Sequence, residues 1–232
     1  MWNNFPQTPK LRVNRLLLTF ILLFGAYLLF FIGLGLLKTH YPELGLEEYE
    51  QSRVLKMIKE EPLRFLILAI IIAPLVEEML FRTLLHPSHN DLLWCMTSWP
   101  VFLMVRFLPL DVHWLVKAVF TLIFLFSVFY LLREGLSPAR TQKIRIFLRR
   151  HTTLILLLTS FIFGLVHINN YVSDFIFNLS LFVLIIPRIL AGLALGFIKI
   201  ANRGLGWSIL LHAMNNGVVF LISMLLYRVA AN

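Results

Sequence analysis

Residues 74–82 read PLVEEMLFR, with three charged side chains inside a stretch otherwise fit for lipid. On insertion scales a charged side chain at the bilayer centre costs roughly 2.5–3.5 kcal/mol, so Glu77, Glu78 and Arg82 must supply something that outweighs their cost. Glu78 and Arg82 are four positions apart and share a helix face, where they can pair. Glu77 points about 100° away from Glu78 on a 3.6-residue helix. One carboxylate can therefore be neutralised by the arginine while the other is left for chemistry. A structural ion cluster holding helices together is the plainer reading, but ionisable groups within a membrane default to a functional one.

Two further spans carry polar groups. His167 ends the run SFIFGLVH, and His212 and Asn216, in LLHAMNNG, are four apart and share a face. Singly, each is as well explained by an interhelical hydrogen bond. Together, an acid pair, two histidines and an asparagine suit the chemistry of an activated water. A carboxylate in a dry site has a raised pKa and can act as a general base. One histidine can hold the water, and the other histidine and an amide can donate to an oxyanion. The alternative is zinc, with Glu77, His167 and His212 as ligands. HExxH is absent, so the thermolysin arrangement is excluded.

The elements that must position these residues are membrane helices. The chain has 232 residues, 59% of them hydrophobic, and a mean hydropathy of +0.82. Soluble domains are nearer 45–50% apolar. The apolar runs are continuous rather than alternating, which argues against a barrel. The expected fold class is all-α, a polytopic transmembrane bundle of about seven spans (six to eight). Their expected positions are residues 16–37, 63–85, 92–107, 114–132, 152–168, 175–200 with an interruption at Pro187-Arg188, and 207–227. Residues 38–61 read as a charged loop whose later half is an amphipathic helix, and Pro62 suits a first helical turn. Residues 133–150 read as a basic loop with six Lys/Arg and one acid.

The net charge of +9 is assigned to cytoplasmic loops rather than to nucleic-acid binding. Residues 1–15 form a basic cytoplasmic N-terminus, and the 133–150 and Lys199/Arg203 loops fall on the same side. Cys95 is the single cysteine, so neither an intrachain disulfide nor a cysteine metal site exists. Asn178-Leu179-Ser180 matches a glycosylation sequon, but by chance within an apolar stretch. The GxxxG of Gly192 and Gly196 is a helix-packing feature. Trp94, Trp99, Trp114 and Trp207 read as interface anchors, and His86, His89 and His113 as solvated loop residues.

EEMLFR, FGLVH and HAMNN, in that order on separate spans, resemble the EExxxR, FxxxH and HxxxN motifs of the CPBP family: CAAX proteases and bacteriocin-processing (Abi) enzymes. The Gly-rich approach GLALGFIKIANRGLGWSILLHAMNN resembles the family as well. The resemblance covers residues 63–227. It implies an intramembrane, glutamate-dependent endopeptidase. Glu77 would be the general base and His167 would position the water. His212 and Asn216 would form the oxyanion hole, while Glu78, Arg82 and Phe163 support the site. It also implies that no metal is required.

One departure stands out. Ninety positions separate Glu77 from His167, where the family's first two motifs sit on consecutive helices. Residues 92–132 therefore read as an inserted helical pair in a core of 63–91 and 150–227, all within a single bundle of 16–232. His167 lies deeper toward the outer side than Glu77 or His212, unless its helix extends past Tyr171 or the site sits near mid-membrane. The expected partners are a membrane-associated peptide or protein substrate and the lipid bilayer. The expected location is a prokaryotic cytoplasmic (inner) membrane with the N-terminus inside. A membrane immunity protein acting by binding, or a small transporter, is the competing class.

Overall fold

The computed structural model describes residues 5–49, 52–105, 107–109, 111–172, 176 and 178–231. Among these there are nine helices and no strands. They are Pro9–His40, Ser52–Glu60, a helix over 62–81, His89–Val105, Trp114–Gly135, Pro138–Arg150, Thr152–Val166, Leu179–Ala201 and Leu205–Ala231. The helix over 62–81 passes through a π turn at Leu68–Ile72.

Among the described residues, five segments are long and apolar enough to cross a membrane: Pro9–His40, Trp114–Gly135, Thr152–Asn170, Leu179–Ala201 and Leu205–Leu225. Leu18, Ile21, Leu22, Leu28, Leu29 and Leu36 line the outside of the first helix, as do Ile123, Phe126 and Leu131 on Trp114–Gly135. Apolar faces of this extent need lipid rather than water. The other two expected spans are also helical. His89–Val105 has 17 residues, and the 62–81 helix carries its charged end in EEMLFR.

The starts of the helices follow local chemistry. Proline occupies the first turn of Pro9–His40, of the 62–81 helix and of Pro138–Arg150, where its missing N–H costs no helical bond. Asn178 caps Leu179–Ala201 by accepting from the Leu181 N–H at 2.8 Å. Ser88 and Asp91 close a reciprocal box at the start of His89–Val105: the Ser88 N–H donates to Asp91 Oδ2 at 2.9 Å and the Asp91 N–H to Ser88 Oγ at 3.1 Å.

Several expectations are corrected. Residues 138–150 are a helix and not a loop, because Arg, Lys, Gln and Ala are good helix formers whatever their hydropathy. Pro187 does not interrupt its span, since Leu179–Ala201 is continuous. Proline deprives a carbonyl one turn back of its donor, and here Tyr171 Oη donates to the neighbouring Leu184 carbonyl at 3.3 Å. Lys199 lies inside that helix and is buried. Only Arg203 follows it, in the left-handed region with φ 54°. There Arg203 N donates to Ile200 O at 3.3 Å and Gly204 N to Lys199 O at 3.2 Å, a Schellman closure with arginine where glycine is usual.

Of the three histidines, His113 is an exposed loop residue and His86 lies in a bend, whereas His89 begins a helix and is half-buried. His89 Nδ1 is 2.9 Å from Thr141 Oγ1, His113 Nδ1 accepts from the Leu115 N–H, and His86 has φ 47°. Trp94 stacks on Phe129 with ring centroids 4.0 Å apart, so it packs one helix on another. The sequon is occupied structurally: Asn178 Nδ2 donates to Tyr49 Oη at 2.7 Å, and Ser180 Oγ to the Leu44 carbonyl at 2.6 Å.

The chain divides into two compact units, Met1–Pro74 with Leu156–Asn232, and Leu75–Ile155. In the first, Leu179–Ala201 packs against both Pro9–His40 and Leu205–Ala231, and the π turn packs on Leu205–Ala231. Gly192 lies against Ser160, where a Cβ would come within 2.9 Å of Ser160 Cα, so the GxxxG reading as close packing holds at this glycine. Ile168, Leu181 and Ile185 form a fully buried cluster. At one end of this unit the first helix closes on the last carbonyls of Leu179–Ala201. Gln7 Nε2 donates to Ala201 O at 2.9 Å, Arg15 donates to Ala201 O and, at 2.8 Å, to Asn202 Oδ1, and Asn202 Nδ2 donates to Arg12 O at 3.0 Å. A cation at a helix C-terminus is favoured by the helix dipole. In the second unit, His89–Val105 packs against Trp114–Gly135 and against Pro138–Arg150.

Candidate active site

The acidic motif belongs to the second unit. Ala73–Phe81 ends in VEEMLF, and the Arg82 N–H still donates to Glu78 O at 2.9 Å. That last turn carries the expected pair: Arg82 Nε lies 3.5 Å from Glu78 Oε2, and neither side chain is exposed. Arg82 also lies over the Phe81 ring, 5.8 Å from its centroid, and Phe81 packs edge-on against Trp99 at 6.1 Å. Thr83, Leu85 and Leu93 are fully buried beside this turn. Glu77, one position before Glu78, is half-buried. The two carboxylates thus differ in burial: Glu78 is fully buried against the arginine and Glu77 is half-buried.

The histidines and Asn216 belong to the first unit. Thr152–Val166 gives way to a 3-10 turn at His167–Asn170, so this helix does not extend past Tyr171. Ile168, fully buried against Leu181 and Ile185, pins the turn and with it the His167 backbone. The His167 ring is fixed from two sides. Nδ1 lies 2.7 Å from the Phe163 carbonyl, and the ring sits on Phe163 with centroids 4.6 Å apart. As that carbonyl can only accept, Nδ1 donates to it. Phe163, 1% exposed, also meets His212 edge-on at 5.8 Å. One phenyl ring therefore meets both imidazoles, and the FxxxH spacing places it one turn before His167. His212 is buried on Leu205–Ala231, and one turn on Asn216 Nδ2 donates to the Ala69 carbonyl at 2.8 Å.

These are the residues expected from the spacing: Glu78 with Arg82 in one unit, and Phe163, His167, His212 and Asn216 in the other. Among the described residues, no group of three or more His, Cys, Asp or Glu side chains is gathered as a metal centre would require.

Residues 59–218 match the sequence profile described as Type II CAAX prenyl endopeptidase Rce1-like. The match covers more than half of the chain and holds all three motifs. The chain belongs to the Rce1-like CAAX prenyl endopeptidase family. It is thereby a membrane peptidase, a hydrolase of the CAAX-protease type. Neither the curated proteins nor the solved structures contain a match.

Sequence reasoning missed two polar residues beside the Rce1-like motifs. Asn215, 2% exposed, donates through Nδ2 to Asn216 Oδ1 at 3.2 Å and accepts from Tyr27 Oη at 3.1 Å. Tyr27 lies on the first helix, outside the matched residues. The signals were the doubled asparagine of HAMNN and a tyrosine hydroxyl amid GAYLLF, since a buried hydroxyl in an apolar span requires a partner.

Proposed function

We propose that the protein is a glutamate-dependent intramembrane endopeptidase that hydrolyses peptide bonds of membrane-associated peptides or proteins. Glu77, half-buried and one position before the Glu78 of the Glu78–Arg82 pair, is the general base that takes a proton from water. His167 offers Nε2 to orient that water. The tetrahedral oxyanion is met by His212 and by one amide N–H of Asn216, whose other N–H is committed to Ala69. On collapse of the intermediate the proton held by Glu77 passes to the leaving amine. Glu78, Arg82 and Phe163 position the rest. The observation that carries this reading is the shared Phe163 support of His167 and His212, two imidazoles from separate spans oriented by one ring. The reaction needs no metal in this scheme, zinc on Glu77, His167 and His212 being the alternative.

The architecture proposed around it has seven spans. The helix over 62–81 and the 17-residue His89–Val105 join the other five, since 17 residues lie at the lower limit for spanning a hydrocarbon core of ~30 Å. Residues 63–91 and 150–227 are the family-like core, 92–132 an inserted helical pair, and 1–15 a basic cytoplasmic segment. The contact of Arg15 with Ala201 and Asn202 supports a common side for the N-terminus and the Arg203 turn, the inner side on the positive-inside rule. The location is a prokaryotic cytoplasmic membrane. Its substrate would be a secreted peptide undergoing maturation, as in bacteriocin processing, or one against which the cell needs immunity. Comparison of membrane peptides from cells carrying the wild type and Glu77→Gln tests this. Intact precursors should accumulate only with the variant, and identical peptide pools would refute the proposed activity.

A further inference from the structure

The π turn at Leu68–Ile72 has a local cause. Pro74 stands inside a helix, where its ring crowds the carbonyl one turn back, and widening the turn relieves that contact. The Ala73 N–H accordingly donates five residues back, to Leu68 O. In the same register the next bond would run from residue 74 to the Ala69 carbonyl, and proline has no N–H to give. Ala69 O is therefore short of a helical donor, at a cost that rises inside an apolar bundle. It receives one from Asn216 Nδ2 at 2.8 Å. Asn216 Oδ1 in turn accepts from Asn215 Nδ2 at 3.2 Å, and Asn215 Oδ1 from Tyr27 Oη at 3.1 Å. Tyr27 and Asn215 are both buried, so this is one ordered chain of donors from the first helix to a backbone carbonyl.

We infer that Tyr27 and Asn215 are positioning residues for the peptidase reaction: they orient the Asn216 amide, and Asn216 holds the π turn that precedes Glu77 on the same helix. The inference rests on the proposed roles of Glu77 and Asn216. Tyr27 lies outside the family-matched segment. Each donor fixes the next acceptor. With Oδ1 of Asn216 satisfied by Asn215, its Nδ2 must face Ala69 with one hydrogen and leaves the other free in a defined direction. Loss of the Tyr27 hydroxyl lets Asn215 turn over and releases that constraint without removing any group that touches substrate.

Ala69-Ile70 is the only Ala-Ile pair in the chain. Labelling with carbonyl-¹³C alanine and ¹⁵N isoleucine thus selects the Ala69 carbonyl by NMR in the intact detergent-solubilised protein. Asn216→Ala should move that resonance upfield, as expected for a carbonyl losing a donor. Tyr27→Phe and Asn215→Ala should move it the same way by less. Pro74→Ala in the Asn216→Ala background should move it back, because residue 74 then carries its own N–H. An unmoved resonance in Asn216→Ala or in Tyr27→Phe would overturn the inference. In cleavage of a farnesylated CAAX-type peptide, or of a precursor found by the peptide comparison, Tyr27→Phe should lower kcat about tenfold or more and leave KM unchanged, as misplacement of a reacting group does. A purely structural role would leave kcat of the folded fraction intact, and that result would refute positioning. If Glu77→Gln cleaved as well as wild type, the catalytic reading would fall, and the inferred positioning role with it. The Ala69 shifts, read without substrate, tell this from failure of the hydrogen-bond chain itself.

Discussion

Replacing Arg82 by alanine leaves Glu78 as a carboxylate without its arginine inside the protein. The guanidinium Nε is 3.5 Å from Glu78 Oε2, with both side chains at 0% exposure. At that distance, and with an effective dielectric constant of ~20, the attraction is about 5 kcal/mol. Breaking a buried pair by removing one partner costs roughly 3–5 kcal/mol. At about 2–4 °C per kcal/mol for a chain of this size, the unfolding midpoint should fall by about 6–20 °C. Thermal unfolding of purified Arg82→Ala in a single detergent measures this. The double variant Arg82→Ala/Glu78→Gln should recover part of the loss, since a neutral amide at 78 is cheaper to bury than a bare carboxylate. An unchanged midpoint in Arg82→Ala would show that the pair does not carry this energy. A double variant no more stable than Arg82→Ala would refute the charge-burial argument.

Three further outcomes are expected. Gly192→Ala should cost about 1–3 kcal/mol by overpacking, because its Cβ would meet Ser160 Cα at 2.9 Å, whereas Gly25→Ala, with nothing within 4 Å, should be neutral or slightly stabilising; equal midpoints for the two would refute the contact. Arg203→Gly should stabilise by about 1 kcal/mol, because φ 54° costs nothing for glycine, and a lowered midpoint would show that the arginine side chain outweighs its backbone strain. Activity of the purified enzyme should survive chelation with EDTA, and stoichiometric zinc that restores a lost activity would replace the metal-free scheme.

The apolar runs were legible as helices because length and continuity of hydropathy decide membrane insertion, and the charged pair was legible because i,i+4 spacing fixes a shared face. Residues 138–150 were not, since hydropathy records what lipid accepts and not what the backbone does; proline at the first position and helix-favouring Arg and Lys make that segment helical. Pro187 misled for the opposite reason. A proline within a long apolar run removes one helical N–H without ending the helix, and Leu179–Ala201 runs on through Pro187. Arg12 and Arg15 were read as topology signals, yet they are bound up in closing the end of Leu179–Ala201, a long-range role that no local pattern reveals. At the candidate site, HxxxN located His212 and Asn216, whereas the role of Asn216 toward Ala69 depends on a π turn that only coordinates disclose.

The central claim is that Glu77 activates the water, and its carboxylate can be removed with almost no change of shape. Purified wild type and Glu77→Gln, matched in unfolding midpoint, should be given the same membrane-associated peptide, and the rate of new N-terminus formation measured by mass spectrometry. A general base contributes about 10²–10⁴-fold, so Glu77→Gln should cleave at least a hundredfold more slowly while binding the peptide as tightly as wild type. Cleavage at the wild-type rate by the folded variant would contradict the account.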